Sequence, residues 1–169
     1  MTSGDTSQVI CVGTAWVRGR ASAEDAHEPP APGTDLQFSR RGLDSSLLTD
    51  LYVILTGITY TEIATAARAG QPIVVGAQRI GGSQPAPYHT AHVFECSAEF
   101  RERMAALSPE RIREIAQNWY PLLGHTITES SPGRVEYRSE IIQYLAALAR
   151  VAGERSARLL LRVKYRAHT

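Results

Sequence analysis

The stretch from Ser97 to Gly124 constrains the fold more than any other part of the chain, because it carries two helix signals back to back with almost no linker. Ser97 caps a first helix that carries Phe100, Met104 and Leu107, side chains whose spacing puts them on one stripe. Ser108-Pro109-Glu110 then supplies an N-cap, a proline at the first helical position and an acid in the first turn. The second helix presents Ile112, Ile115, Ala116 and Trp119 on one face, with Pro121 near its end and Gly124 as its stop. Two helices joined this closely form a tight corner.

Helical patterning recurs on both sides of this corner. Leu47, Leu48, Leu51, Ile54 and Leu55 make one apolar stripe, started by Asp44 or Ser45 and closed by Gly57 in a left-handed cap. Thr59 and Glu62 form a capping box for a next helix, which Gly70 ends; Ile63 and several alanines give it a thin apolar face. A final helix is expected to begin near Ser139, to carry Ile141, Ile142, Leu145, Leu148 and Val151, and to stop at Gly153. Thr126 to Gly133 before it reads as a polar loop, within a surface-like loop at 124–138.

Strand signals stand at both ends. Val9 to Val17 is β-branched and mostly apolar, as a buried strand is. Ala157 to Arg166 alternates: Leu159, Leu161, Val163 and Tyr165 are apolar, and Arg158, Arg162, Lys164 and Arg166 are basic, with Leu160 the exception. That period of two predicts a strand with one wet face. Pro72 to Ile80 and His92 to Cys96 read as short strands, Gly81 to Pro87 as a turn-rich loop, and Ala21 to Gly33, rich in alanine, proline and acids, as a long mobile loop. The expected fold is therefore α+β, mostly helical with about five helices, a few short strands, and N- and C-terminal strands. It forms a single domain over 1–169, with 1–8 a polar N-terminus and 21–34 a mobile loop.

Composition narrows the function classes. A chain of 169 residues with 43% hydrophobic content buries a core without staples. A formal net charge of +1 argues against a dedicated nucleic-acid binder. Two distant cysteines, Cys11 and Cys96, allow one bridge but do not make a disulfide framework. No run of about 18 apolar residues is present, and the polar start is not a signal peptide, so a cytoplasmic location away from membranes is expected.

Three stretches resemble small bacterial proteins of uncharacterised function: LYVILTG at Leu51 to Gly57, VFECSAEFRERMAALSPERIREIAQNWY at Val93 to Tyr120, and the Leu/Ala-rich helix with its Leu-rich strand at Ile141 to Tyr165. Together they cover roughly half the chain. They are mostly packing residues, and the resemblance carries no activity. Proteins of this type often accompany toxin genes as immunity proteins, so it implies a protein partner, a toxin among the candidates.

Few residues group in a way that supports chemistry. His89, His92 and Cys96 (HTAHVFEC) offer imidazole and thiolate, the ligand types zinc prefers, but a structural zinc site takes four ligands and these three have no paired knuckle. The alternative is a loop histidine, a strand-start histidine and a buried cysteine. The same residues could form a Cys–His nucleophile pair, against a core cysteine as the simpler reading. There is no G-x-S-x-G elbow, no phosphate-binding P-loop and no G-x-G-x-x-G; no catalytic residue is assigned and no cofactor is expected. GAQRIGG at Gly76 to Gly82 is read as a turn after a strand rather than an anion cradle. Glu110 and Glu114, set among Arg111 and Arg113, are read as a solvated helix face.

Two binding candidates remain. Arg158, Arg162, Lys164 and Arg166 would line one face of the last strand, either meeting phosphates or acids, or keeping an edge strand soluble; the second reading is preferred. Tyr120, one position round from the core residue Trp119, is a candidate exposed anchor beside arginines. The preferred function is a non-enzymatic interaction protein; the alternative is an enzyme or metal-binding protein with its site at residues 89–96.

Overall fold

Two long apolar strands lie at opposite ends of the sequence, and in the structure they find each other. The computed structural model describes residues 9–19, 29, 36–69, 77–82, 89–127 and 131–167. Strand β1 (Val9–Arg18) pairs antiparallel with β5 (Arg158–Ala167) over ten positions, from Val9 opposite Ala167 to Arg18 opposite Arg158. Strands β2 (Gln37–Arg41), β3 (Ala77–Gly82) and β4 (His89–Cys96) extend this pair into a five-stranded antiparallel sheet of order β2-β1-β5-β4-β3. Six helices complete the described residues: α1 (Ser45–Thr56), α2 (Tyr60–Arg68), α3 (Ala98–Ala105), α4 (Pro109–Gln117), α5 (Trp119–Leu122) and α6 (Pro132–Glu154). The fold is α+β. No single helix among the described residues is long and apolar enough to cross a membrane.

The period of two along β1 and β5 sorts their side chains between two faces. Ala15, Val17, Leu159, Leu161 and Val163 point to the helical side, where Phe38 and Cys96 join them. The 23-residue α6 crosses this face and buries Ile141, Ile142, Leu145, Ala146, Leu148, Ala149 and Ala152, with α3 and α4 packed against it. Phe100, Met104, Ile112 and Ile115 fill the layer between. Leu160, which broke the alternation, belongs to the other face: it sits opposite Trp16 in the β1–β5 register and forms a small buried cluster with Trp16 and Val93.

The local signals act as their chemistry dictates. Asp44 caps α1 by accepting from the Leu47 amide at 2.9 Å, and Gly57 closes it at φ 75°. Thr59 and Glu62 exchange both bonds of a capping box at the head of α2. Ser97 and Ser108 cap α3 and α4. Arginines then satisfy carbonyls left open at helix ends. Arg103 donates to Leu55 O at 3.0 Å, Arg150 to Ala105 O and Leu107 O at 3.0 and 2.8 Å, and Arg101 to Ala157 O at 2.8 Å. These four bonds from three arginines tie α1, α3 and the end of α6 together at the corner.

Several expectations need correction. β5 is the centre of the sheet, not an edge, so its basic residues do not serve to blunt edge pairing. α6 starts at Pro132, two turns before Ser139: Pro132 stands at the helix start as Pro109 does in α4, although Ser131 makes no side-chain capping bond. It also outlasts Gly153: the turn closes through Ser156 at φ 49°, with Ala157 N bonded to Ala152 O at 2.8 Å. His89 lies in β4 rather than in a loop, and Gly81 and Gly82 belong to β3. Trp119 opens the separate α5 after Asn118 leaves helical geometry. The edge strand β2 carried no alternation long enough to read. The loop at 21–33 lies outside the described residues except at position 29, and residues 72–76 and 83–87 also lie outside them. Cys11 and Cys96 are free thiols.

One glycine is fixed by a close approach. The turn after β2 folds over β1, with Gly42 N bonded to Cys11 O at 2.9 Å, and a Cβ on Gly13 would stand 2.1 Å from the Leu43 carbonyl oxygen. Backbone cannot yield cheaply there, so Gly13→Ala is expected to cost about 1–3 kcal/mol or more. Gly153→Ala, in open space inside α6, is expected to add roughly 0.5–1 kcal/mol. Denaturant melts of both variants check the pair, and equal stability of Gly13→Ala and the parent would refute the steric account.

Candidate functional site

The residues singled out in the sequence fall on the sheet. His89, His92 and Cys96 all lie on β4, where side chains alternate faces: positions 92 and 96 share the helical face and position 89 has the opposite parity. Positions 92 and 96 stand ~13 Å apart along the strand. The side chains of His89 and His92 lie outside what the structure describes. Cys96 is buried in the core, and burial pushes its thiol up to about 12, with Glu95 adding to the effect. It is therefore a neutral thiol at ordinary pH, the form that neither attacks nor ligates. Among the described residues no group of three or more His, Cys, Asp or Glu is placed to hold a metal.

The basic positions of β5 line the face opposite the helices. Arg158 is committed to Glu95 through two parallel bonds of 2.9 and 2.8 Å, which hold its guanidinium charged. Arg162 and Lys164 are half-buried, and the side chain of Arg166 lies outside what the structure describes. Arg150, from the same basic run, is spent on the carbonyls that end α3. Arg150 and Arg158 are thus committed to separate partners.

A different site forms on the helical side. Asp44, the N-cap of α1, with Ser46, Leu47 and Asp50 from its first two turns, Trp119 from α5, and Arg134, Tyr137 and Arg138 from α6 line a cleft of about 350 Å³. Arg138 is buried, with its guanidinium 5.5 Å from the Trp119 ring centre and 4.9 Å from that of Tyr120. A cation over π faces gains about 0.5–2 kcal/mol, more as water is excluded. Tyr120 is therefore half-buried support for Arg138, and its edge meets His125 at 6.0 Å between ring centres.

Three other wall residues have fixed partners. The Asp44 carboxylate is fixed by its capping bond, and Asp50 accepts from the Tyr60 hydroxyl of α2. Burial raises the Tyr60 phenol, and the Asp50 hydrogen bond raises it further. Tyr137 donates to Arg41 O, pinning α6 to the end of β2, and Arg40 lies 5.7 Å from the Tyr137 ring while pairing with Glu140 at 2.7 Å. The described lining thus brings the acids at the start of α1, the arginines of α6 and the indole of Trp119 to one cleft.

Sequence reasoning placed Trp119 in the core and Asp44 at a cap, but did not bring them together with Arg134, Tyr137 and Arg138. The sequence pattern leaves residues 134–138 in a surface-like loop. The one signal that could have found them is Ser131-Pro132, which makes positions 134, 137 and 138 neighbours on a helix face. Comparison of the chain with protein-family models, curated proteins and solved structures gives no match.

The buried thiol yields a pH prediction. Cys96 ionises near its ordinary value of 9.0 once unfolded but only near 12 when folded, so its contribution to stability is complete below pH 9 and is lost as pH rises toward 12. Cys11, Tyr52, Tyr60 and Tyr137 are also raised and act in the same direction. Denaturant stability should therefore fall between pH 9 and 11, and Cys96→Val should shallow the slope by up to about 1.4 kcal/mol per pH unit. An unchanged slope in that variant would show that the thiol is not shielded as described.

Proposed function

We propose that this chain is a non-enzymatic interaction protein that holds a protein partner at the cleft between α1, α5 and α6. The observation that carries this reading is the convergence of Trp119, Tyr137, Arg134 and Arg138 on one concavity. Tryptophan, tyrosine and arginine dominate the few residues that supply most interface energy, and they act best in pockets where water is excluded. The described lining contains no histidine, cysteine or lysine to act as a base near neutral pH; of its two hydroxyls, that of Tyr137 is spent on Arg41 O, and Ser46 has the carboxylates beside it on α1 nearby in sequence. Binding without turnover is the chemistry such a lining favours. Neutralisation of a toxin is the specific form of this reading that the resemblance to small bacterial proteins favours.

The test is affinity capture from the source cell with the parent protein, Arg134→Glu, Ser46→Arg, and Lys164→Glu as a control on the opposite sheet face. A stoichiometric partner should be retained by the parent and the control, and weakened at least about tenfold by the two cleft variants. Equal capture by all four proteins, at equal thermal stability, would remove the cleft from the interaction.

A further inference from the structure

Among the described residues, β2 is one edge of the sheet. Its ladder to β1 is phased by two bonds at its ends, Gly42 N to Cys11 O at 2.9 Å and Val17 N to Leu36 O at 3.2 Å. Bonded pairs alternate along an antiparallel ladder, so Phe38 and Arg40 turn their backbone groups toward β1, and Gln37, Ser39 and Arg41 turn theirs outward. The Arg41 carbonyl is taken by the Tyr137 hydroxyl, while the N–H and C=O of Ser39 stand at the middle of the strand. Charge on an edge strand commonly keeps it from pairing. Here the charge of Arg40 is met by Glu140 at 2.7 Å within the same chain. An apolar ledge runs beside the edge as well: the exposed Tyr144 ring lies flat on Phe38, with centroids 4.5 Å apart and planes 7° apart.

We infer that β2 pairs antiparallel with β2 of a second copy of this chain, with Ser39 on the two-fold axis. The strand fits itself in that register. Ser39 meets Ser39 of the second copy, Phe38 meets Arg40, and Gln37 meets Arg41, so all of β2 is used and no like charges stand opposite. The next register toward the C-terminal end sets Arg40 against Arg40, and the next toward the N-terminal end leaves Arg40 and Arg41 beyond the partner strand. In the favoured register the two Ser39 residues exchange N–H to C=O bonds, and the sheet runs on through both copies. A five-residue edge falls short of the ~800 Å² per partner of a standard interface, so the association is of micromolar strength rather than obligate. The inference does not rest on the cleft.

The experiment is sedimentation equilibrium of the full chain from roughly 1 μM to 1 mM, beside Ser39→Pro, Ser39→Cys and Gln37→Cys. The parent should pass from the mass of one chain to that of two over this range. Proline at position 39 removes an N–H that the β1 ladder does not use, a change edge strands tolerate. The fold and Tm should hold while self-association weakens at least about tenfold. Cysteines at position 39 would stand ~5.5 Å apart between Cα atoms, within the about 4.4–6.8 Å that a disulfide spans. Ser39→Cys should therefore cross-link into a dimer under oxidised glutathione, and the parent, with Cys11 and Cys96 as free thiols, should not. Gln37→Cys should not cross-link with itself, because the register separates the two sites by more than ~13 Å. The inference is overturned by a parent that stays single throughout, by a dimer that Ser39→Pro leaves as strong, by a Ser39→Cys protein that does not cross-link, or by Gln37→Cys cross-linking as well as Ser39→Cys. Should Ser39→Pro fail to fold, the parent's mass and the two cysteine variants decide alone. A parent that is single by itself but loses a captured foreign protein on Ser39→Pro overturns the second copy and assigns the edge to a partner's strand. Ser46→Arg and Arg134→Glu should leave self-association unchanged, so failure here leaves the cleft reading standing.

Discussion

The β1–β5 pairing is the constraint on which the rest of the structure depends. It joins residues separated by almost the whole chain, so the loop-closure entropy is large and must be offset by what the pairing organises. What it organises is the inner face of the sheet. Ala15, Val17, Leu159, Leu161 and Val163 form a continuous apolar surface only when the two strands are side by side. α6 buries its stripe against that surface, and α3 and α4 pack on α6, with Phe100 of α3 also meeting Tyr52 of α1. Helical propensity alone would leave α3 and α4, eight and nine residues long, marginal in water.

Placing a basic strand at the centre of a sheet carries a penalty that the neighbouring strands relieve. Arg158 would be a half-desolvated cation on a central strand, and Glu95 on β4 meets it with two bonds. Leu160 stands next on the same face and is sealed against Trp16 and Val93. The outer face therefore alternates charge pair and apolar plug instead of presenting a uniform basic stripe. The sequence pattern shows the alternation of β5 but not its neighbours, so an edge strand and a central one look alike until Glu95 is placed across from Leu160 in the register.

Legibility followed the same division. Elements defined by their own residues were readable: the caps at Asp44, Ser97 and Ser108, the capping box of Thr59 and Glu62, the left-handed Gly57, and the parity of β5. Elements defined by distant partners were not. β2 is five residues that become a strand because β1 offers its edge, and the order of the strands depends on pairings no local window contains. The extension of α6 back to Pro132 was hidden for a different reason. Its first two turns, PGRVEYR, show little apolar periodicity, since the stripe of a helix is visible only where it faces an apolar core.

That hidden segment is also where the candidate site lies, and the coincidence has a physical cause. A helix turn that faces the core must be apolar, and it announces itself by period. A turn that lines a cleft is free of that demand, so it can carry Arg134, Tyr137 and Arg138, and by carrying them it loses the pattern that would reveal it. Arg138 shows the cost and the remedy together. A buried guanidinium on an apolar face would be prohibitive alone, yet the faces of Trp119 and Tyr120 stand under it because α5 breaks from α4 at Asn118. Continuing α4 as one straight helix would carry Trp119 onward in register with Ile112 and Ile115. With the break at Asn118, Trp119 keeps its place in the core and also lines the cleft.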